Sequence, residues 1–171
     1  MSLEQIREDR LTFSFPASSQ VAKYDDWAFY RKQFNAAFGG TKAVDIVYIT
    51  NETTWLIEVK DYRANRRTKV MDLGLEVSTK VRDTIVGLMA AKCYANNTTE
   101  KKIAKSAISK NKIRVVLHLE QPARHSKLFP KAINVADVQM KLKQLLKPID
   151  AHPIIVHQNN LRTNMDWSVT G

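Results

Sequence analysis

The sequence predicts an α/β protein of three layers, with a mixed central β-sheet flanked by helices. Short apolar or β-branched runs alternate with longer segments whose apolar residues recur at helical spacing. Their order is helix, two adjacent strands, helix, strand, helix and strand, which is typical of an α/β layer structure. The length of 171 residues and the hydrophobic content of 44% suit one domain, covering 1–171, with its own core.

The first part of the chain predicts a strand followed by a helix. Residues 11–16 alternate in polarity and end at Pro16, which is typical of a short edge strand. A helix is predicted from a cap at Ser18 or Ser19 to Phe38, before Gly39-Gly40. Its aromatic residues are expected to pack on the sheet: Trp27, Tyr30, Phe34 and Phe38.

The remaining elements follow from the same periodicities. Strands are predicted at 43–50, 54–62, 112–119 and 153–157, and helices at 75–96, 100–109 and 135–147. The 75–96 helix has its apolar residues, including Met89 and Cys93, on one face, so both are expected in the core. The final residues show no pattern and are expected to be irregular.

The charge balance favours a polyanionic partner. The chain has 27 basic and 17 acidic residues, a net charge of +10, which favours nucleic acid first and an anionic membrane surface second. No apolar run reaches the roughly eighteen residues of a membrane span, and the N-terminus lacks a signal core. Cys93 is the single cysteine, which excludes a disulfide framework and indicates a reducing, cytoplasmic compartment.

Three charged residues interrupt the two most apolar strands. Asp45 lies within the 43–50 strand, and Glu58 and Lys60 lie within the 54–62 strand. A run that is apolar on both faces is buried, and a charge in it is costly unless it is paired or binds a metal. If the connecting turn centres on Asn51-Glu52, Asp45 lies opposite Glu58; a longer connection would bring Asp45 toward Lys60.

This cluster could bind a divalent cation. Two carboxylates at one place repel each other, and hard oxygen ligands favour Mg²⁺ or Mn²⁺. Such an ion lowers the pKa of a bound water and neutralises phosphate charge, and a neighbouring lysine can assist the water. The alternative interpretation is structural: Glu58 and Lys60 form an ion pair at the exposed end of a strand, with Asp45 at a strand start.

The charged residues form a pattern: Asp45, twelve intervening residues and then Glu58-Val59-Lys60. This pattern resembles the motif of the PD-(D/E)xK nuclease superfamily. The resemblance covers roughly residues 17–120 and implies a restriction-endonuclease-like core of order αβββαβ. It implies that Asp45, Glu58 and the Val59 carbonyl bind the metal and that Lys60 is catalytic. Members often have a further acid on the first helix, for which Asp25 and Asp26 are both candidates. Val44 replaces the proline of the motif.

Two basic stretches are candidate contacts for a phosphate backbone. The first stretch follows the 54–62 strand, and Lys80 at the start of the 75–96 helix is grouped with it. This group comprises Arg63, Arg66, Arg67, Lys69 and Lys80. The second comprises Lys101, Lys102, Lys105, Lys110, Lys112 and Arg114, and is interpreted as a polar helix face. Contacts of this kind would make binding dependent on salt and largely indifferent to nucleotide sequence.

The resemblance implies a Mg²⁺-dependent (deoxyribo)nuclease that hydrolyses phosphodiester bonds of DNA. A homodimer is compatible with this activity, and no membrane partner is expected. A non-catalytic nucleic-acid-binding or assembly protein on the same fold is the alternative. The residues leave open the choice between DNA and RNA and between endonuclease and exonuclease action.

Overall fold

The computed structural model describes residues 3–122 and 133–171. Its strands are β1 (Glu4–Glu8), β2 (Leu11–Phe15), β3 (Gln20–Lys23), β4 (Ile46–Ile49), β5 (Thr53–Asp61), β6 (Lys112–Glu120), β7 (Ile154–Val156) and β8 (Ser168–Thr170). Its α-helices are α1 (Leu73–Tyr94), α2 (Thr98–Ile108) and α3 (Val135–Leu146).

A five-stranded mixed sheet with the order β3-β4-β5-β6-β7 forms the centre of the molecule. The pairs β3–β4 and β4–β5 are antiparallel, whereas β5–β6 and β6–β7 are parallel. The chain crosses from β5 to β6 through α1 and α2, and from β6 to β7 through α3, since parallel neighbours need such long connections. The predicted α/β class with a mixed central sheet is therefore confirmed.

The two faces of this sheet have different coverings. Val47, Leu56 and Val115 point to one face and pack with the buried residues of the helices. Their neighbours in sequence point to the other face, where Phe13 and Phe15 of the three-stranded sheet β1-β2-β8 cover them. The predicted helices thus cover one side only, and a small second sheet, which the sequence analysis did not predict, covers the other.

The helix predicted from Ser18 or Ser19 to Phe38 is wrong. This region begins with β3, which pairs with β4, and continues through short 3₁₀ and π turns between 24 and 39. The Glu100 carboxylate accepts the N–H groups of Ala28 at 2.7 Å and Phe29 at 3.0 Å, so it caps a new helical turn at this point. The element order therefore departs from αβββαβ at its first member.

Two details of the predicted core are also wrong. Helix α1 buries a stripe that includes Val77, Val81 and Leu88, but Met89 is 53% exposed and Cys93 is exposed. Both lie outside the face with which α1 packs against α2, α3 and the apolar residues of the sheet. The final residues are irregular as expected up to Trp167, but Ser168–Thr170 forms β8 and pairs with β2.

One histidine, His118, lies in the core of the protein. It is fully buried in β6, and its Nε2 lies 2.9 Å from Glu120 Oε1. Burial lowers the pKa of His118, although Glu120 opposes this shift. In the part of the chain that the structure describes, no helix has the length and apolarity needed to cross a bilayer.

Replacing Gly87 by alanine tests the close approach of α1 to the turns before β4. A β-carbon at Gly87 would overlap Tyr24 Oη and lie 3.1 Å from Phe34 Cε1. Tyr24 is fully buried, so its ring has little room to move. We expect Gly87→Ala to lower the free energy of unfolding by about 1–3 kcal/mol in urea denaturation. Val86→Ala is the control, because Val86 is 44% exposed on the same helix; equal stability of both variants would contradict the close packing.

Candidate functional site

The β4–β5 hairpin has the register that centres its turn on Asn51-Glu52. Ile46 pairs with Ile57, and the Thr50 N–H donates to the Thr53 carbonyl at 2.9 Å. Asp45 immediately precedes β4, and its Oδ2 accepts the Val59 N–H at 2.7 Å. Of the two registers that the sequence left open, the structure therefore has the one that places Asp45 beside Glu58.

Glu58 is the centre of a buried ion cluster. Its side chain is 0% exposed, and Oε1 lies 2.6 Å from Lys60 Nζ and 2.5 Å from Lys80 Nζ. Lys80 Nζ also lies 3.8 Å from Asp45 Oδ1, so this ammonium contacts both carboxylates. The structure therefore brings together Asp45, Glu58 and Lys60, as predicted, and adds Lys80 from α1.

Burial and neighbouring charges shift the pKa values of Asp45 and Lys60. Burial, with the Glu58 carboxylate as a second cause, raises the pKa of Asp45 to about 8. Burial acts to lower the pKa of Lys60, but attraction to Glu58 outweighs it and leaves this pKa above its ordinary value. The two ammonium groups balance the two acids, so the cluster is charge-compensated without an ion when both acids are ionised.

A second group of acids shares Asp45 with the ion cluster of Glu58. Carboxylate oxygens of Glu8, Asp25 and Asp45 lie within 4.8 Å of one another. Burial raises the pKa of Asp25 to about 6. Asp26, the other candidate from the sequence, instead pairs with Arg31 and lies 3.7 Å from Lys23 Nζ. Glu8 was missed because β1 is charged and mostly exposed, and no motif marks it.

The basic residues after β5 have partners within the protein. Arg63 pairs with Asp61 at 2.7 Å, while Arg67 and Lys69 both pair with Glu76 of α1, at 2.7 and 2.8 Å. Although burial opposes it, hydrogen bonds from Lys69 and Arg67 lower the pKa of Glu76 to about 2. The two pairs with Glu76 hold the segment against α1.

Arg66 is exposed, and Lys80 points into the ion cluster. The expected contact of Arg63, Arg66, Arg67, Lys69 and Lys80 with nucleic acid stays a prediction.

Comparison with known proteins finds similarity to a tRNA ligase. The chain is 33% identical to the cysteine–tRNA ligase of Neisseria meningitidis in an alignment that is 205 positions long and covers 96% of this chain. The same alignment covers 29% of the ligase, so the chain spans less than a third of that protein. No family model matches the chain, and no solved structure matches it.

This similarity corrects the expected assignment to the PD-(D/E)xK superfamily. The relative aligned along nearly the whole chain is named a ligase of tRNA, so the expected nuclease activity on DNA is wrong. The motif misled because Asp45 and Glu58-x-Lys60 on a hairpin have the spacing of nuclease sites, and spacing does not distinguish a catalytic cluster from a buried ion cluster. The pairing of Glu58 with Lys60 and Lys80 accounts for charges in apolar strands without hydrolysis.

Asp45→Asn tests the electrostatics of this site. An acid whose pKa rises from 3.8 to about 8 on folding stabilises the fold below about pH 4, and this contribution is lost as pH rises through about 8. The wild type should therefore lose stability over this interval. The asparagine amide oxygen can still accept the Val59 N–H, so we expect the variant to lose less stability between about pH 5 and 9.

The measurement is the urea midpoint as a function of pH, in the presence of EDTA. Asp137→Asn, at an exposed position of α3, is the control and should follow the wild-type curve. Parallel curves for Asp45→Asn and the wild type would contradict the raised pKa of Asp45.

Proposed function

We propose that this chain is a nucleic-acid-binding domain whose ligand is tRNA. The observation that carries the proposal is the 33% identity to a cysteine–tRNA ligase along 96% of this chain. Because the chain spans 29% of that protein, tRNA binding is proposed here and the ligase reaction is not. The net charge of +10 supports a polyanionic ligand.

The basic balance also predicts how such a complex responds to salt. Lysine and arginine contacts to phosphates release counterions, so affinity falls steeply as the salt concentration rises. The residues alone left DNA and RNA open, and the name of the relative favours RNA. A cytoplasmic location and a homodimer stay predictions, and tRNA binding requires neither of them.

A divalent cation, Mg²⁺ or Mn²⁺, is proposed to bind beside Asp45. The ligands expected from the sequence were Asp45, Glu58 and the Val59 carbonyl, but Lys80 Nζ already contacts both of these carboxylates. We place the ion among Asp45, Glu8 and Asp25, whose oxygens lie within 4.8 Å of one another, where it would replace the Lys23 ammonium that lies 2.8 Å from Glu8 Oε2. Carboxylate oxygens at this spacing suit a hard cation.

The surroundings of these acids support the same assignment. Asp25 Oδ1 is buried and has no hydrogen-bond partner among the described residues. The pKa values of Asp25 and Asp45 rise to about 6 and about 8, chiefly through burial, with neighbouring acids as a further cause. A bound cation would relieve this repulsion and supply positive charge for a phosphate group.

Binding of tRNA is tested with labelled tRNA and a DNA duplex that has the same number of phosphates. We expect tighter binding of tRNA, with an affinity that falls about tenfold or more between about 50 and 200 mM salt. Fluorescence anisotropy measures both affinities, and tRNA recovered intact from the complex shows binding without cleavage. Equal affinity for the two nucleic acids, or no binding of tRNA, would contradict the proposal.

The cation site is tested by thermal unfolding with millimolar Mn²⁺ or Mg²⁺. A ligand that binds only the folded state raises the melting temperature, so we expect a rise in the wild type and its loss in Asp45→Asn. Asp137→Asn controls for the removal of one negative charge. The site would be excluded if Asp45→Asn kept the whole ion-dependent rise.

A further inference from the structure

We infer that the exposed lysines of α2 and of the start of β6 form the surface that contacts the tRNA backbone, an inference that rests on the proposed binding of tRNA. This α2 lysine face comprises Lys101, Lys102, Lys105 and Lys112. It belongs to the second basic stretch of the sequence, which was interpreted from the sequence as a polar helix face, and not to the Arg63–Lys69 stretch.

The lysines of this face are free to bind a ligand. All are exposed, and their ammonium groups have no hydrogen bond or ion pair with any residue in the described ranges 3–122 and 133–171. Arg63, Arg67 and Lys69 differ, because each is paired with an acid of the protein. A phosphate at those residues would compete with these internal pairs, whereas a phosphate at the α2 lysine face would not.

The segment displays charge of a single sign. Residues 98–112 contain five lysines and one acid, Glu100. Glu100 is only 8% exposed, and its carboxylate points inward to the N–H groups of Ala28 and Phe29. No acid within this segment therefore offsets the lysines at the surface.

This arrangement is unfavourable for the helix itself. Lys101 and Lys105 are four residues apart, and like charges at this spacing destabilise a helix. Lys101 also lies near the helix N-terminus, where the dipole disfavours a cation. The helix is maintained by its Asn97 cap and by burial of Ala104 and Ala107. Binding of phosphates would offset the repulsion that remains at the surface.

The geometry suits a phosphate backbone better than a lipid surface. Lys101 and Lys105 lie one turn apart, about 6 Å along a rigid helix axis, and Lys102 lies beside them. A helix that binds membranes needs an exposed apolar face beside its cations. None of the exposed large hydrophobic residues in the described chain lies within 98–112. The contacts would be made to phosphates, so they would position tRNA without reading its bases.

The test compares two double variants that change the net charge equally. Lys101→Glu with Lys105→Glu alters the α2 lysine face. Lys143→Glu with Lys147→Glu alters a pair with the same spacing at α3, where both lysines are exposed. We expect the α2 variant to bind tRNA about tenfold or more weakly, with a salt dependence shallower by about one unit of slope per lost contact. The α3 variant should stay within about threefold of the wild type, since it loses only long-range attraction, which salt screens.

Folding is checked by circular dichroism and urea denaturation, and an acid at position 101 should not weaken a helix near its N-terminus. Equal loss in both variants would show a dependence on net charge alone and would overturn the inference, as would wild-type affinity in the α2 variant. Loss of binding to phosphatidylserine vesicles with unchanged tRNA binding would make the face a membrane contact instead. Failure of the wild type to bind tRNA would contradict the proposed function itself, which is a separate result.

Discussion

The burial of one carboxylate, Glu58, constrains much of this structure. Glu58 pairs with Lys60 of the same strand and with Lys80 of α1. Its charge therefore connects the central sheet with the longest helix. Asp45 joins the arrangement through Lys80 and through the Val59 N–H. Loss of one partner of a buried ion pair typically costs about 3–5 kcal/mol, because the other charge stays desolvated. The hairpin register and the position of α1 are therefore linked by electrostatics as well as by apolar packing.

Two groups of basic residues in the described part of the chain have different surroundings. One group contacts buried acids and stabilises the interface between the sheet and α1; it comprises Lys60, Lys80 and Arg67. The α2 lysine face has no such partners among the described residues, and the acid of its segment points inward. This division explains how a protein with a net charge of +10 keeps a compact core and still presents unpaired cations to a ligand.

The sequence allowed the hairpin and its charged cluster to be predicted, because two apolar strands with embedded charges are joined by a short connection; it left two registers open, and the structure has the one centred on Asn51-Glu52. It did not allow β1 and β8 to be predicted, since Glu4–Glu8 is charged and Ser168–Thr170 is short. Their pairing depends on contacts with β2 that local pattern does not contain. The function was misjudged for a related reason: the spacing of Asp45 and Glu58 specifies proximity, and proximity is common to ion clusters and nuclease sites.

The pairing of β2 with β8 has a consequence for the order in which the protein folds. Thr12 pairs with Thr170, so this ladder closes a loop that contains nearly all of the chain. Loop closure over such a length is entropically costly, and contacts between residues that are far apart in the sequence form late. Until β8 docks, Trp55 and Ile57 on that side of the central sheet lack part of their covering. Intermediates without β8 would therefore expose an apolar surface, and this stage is where the folding chain is most prone to aggregate.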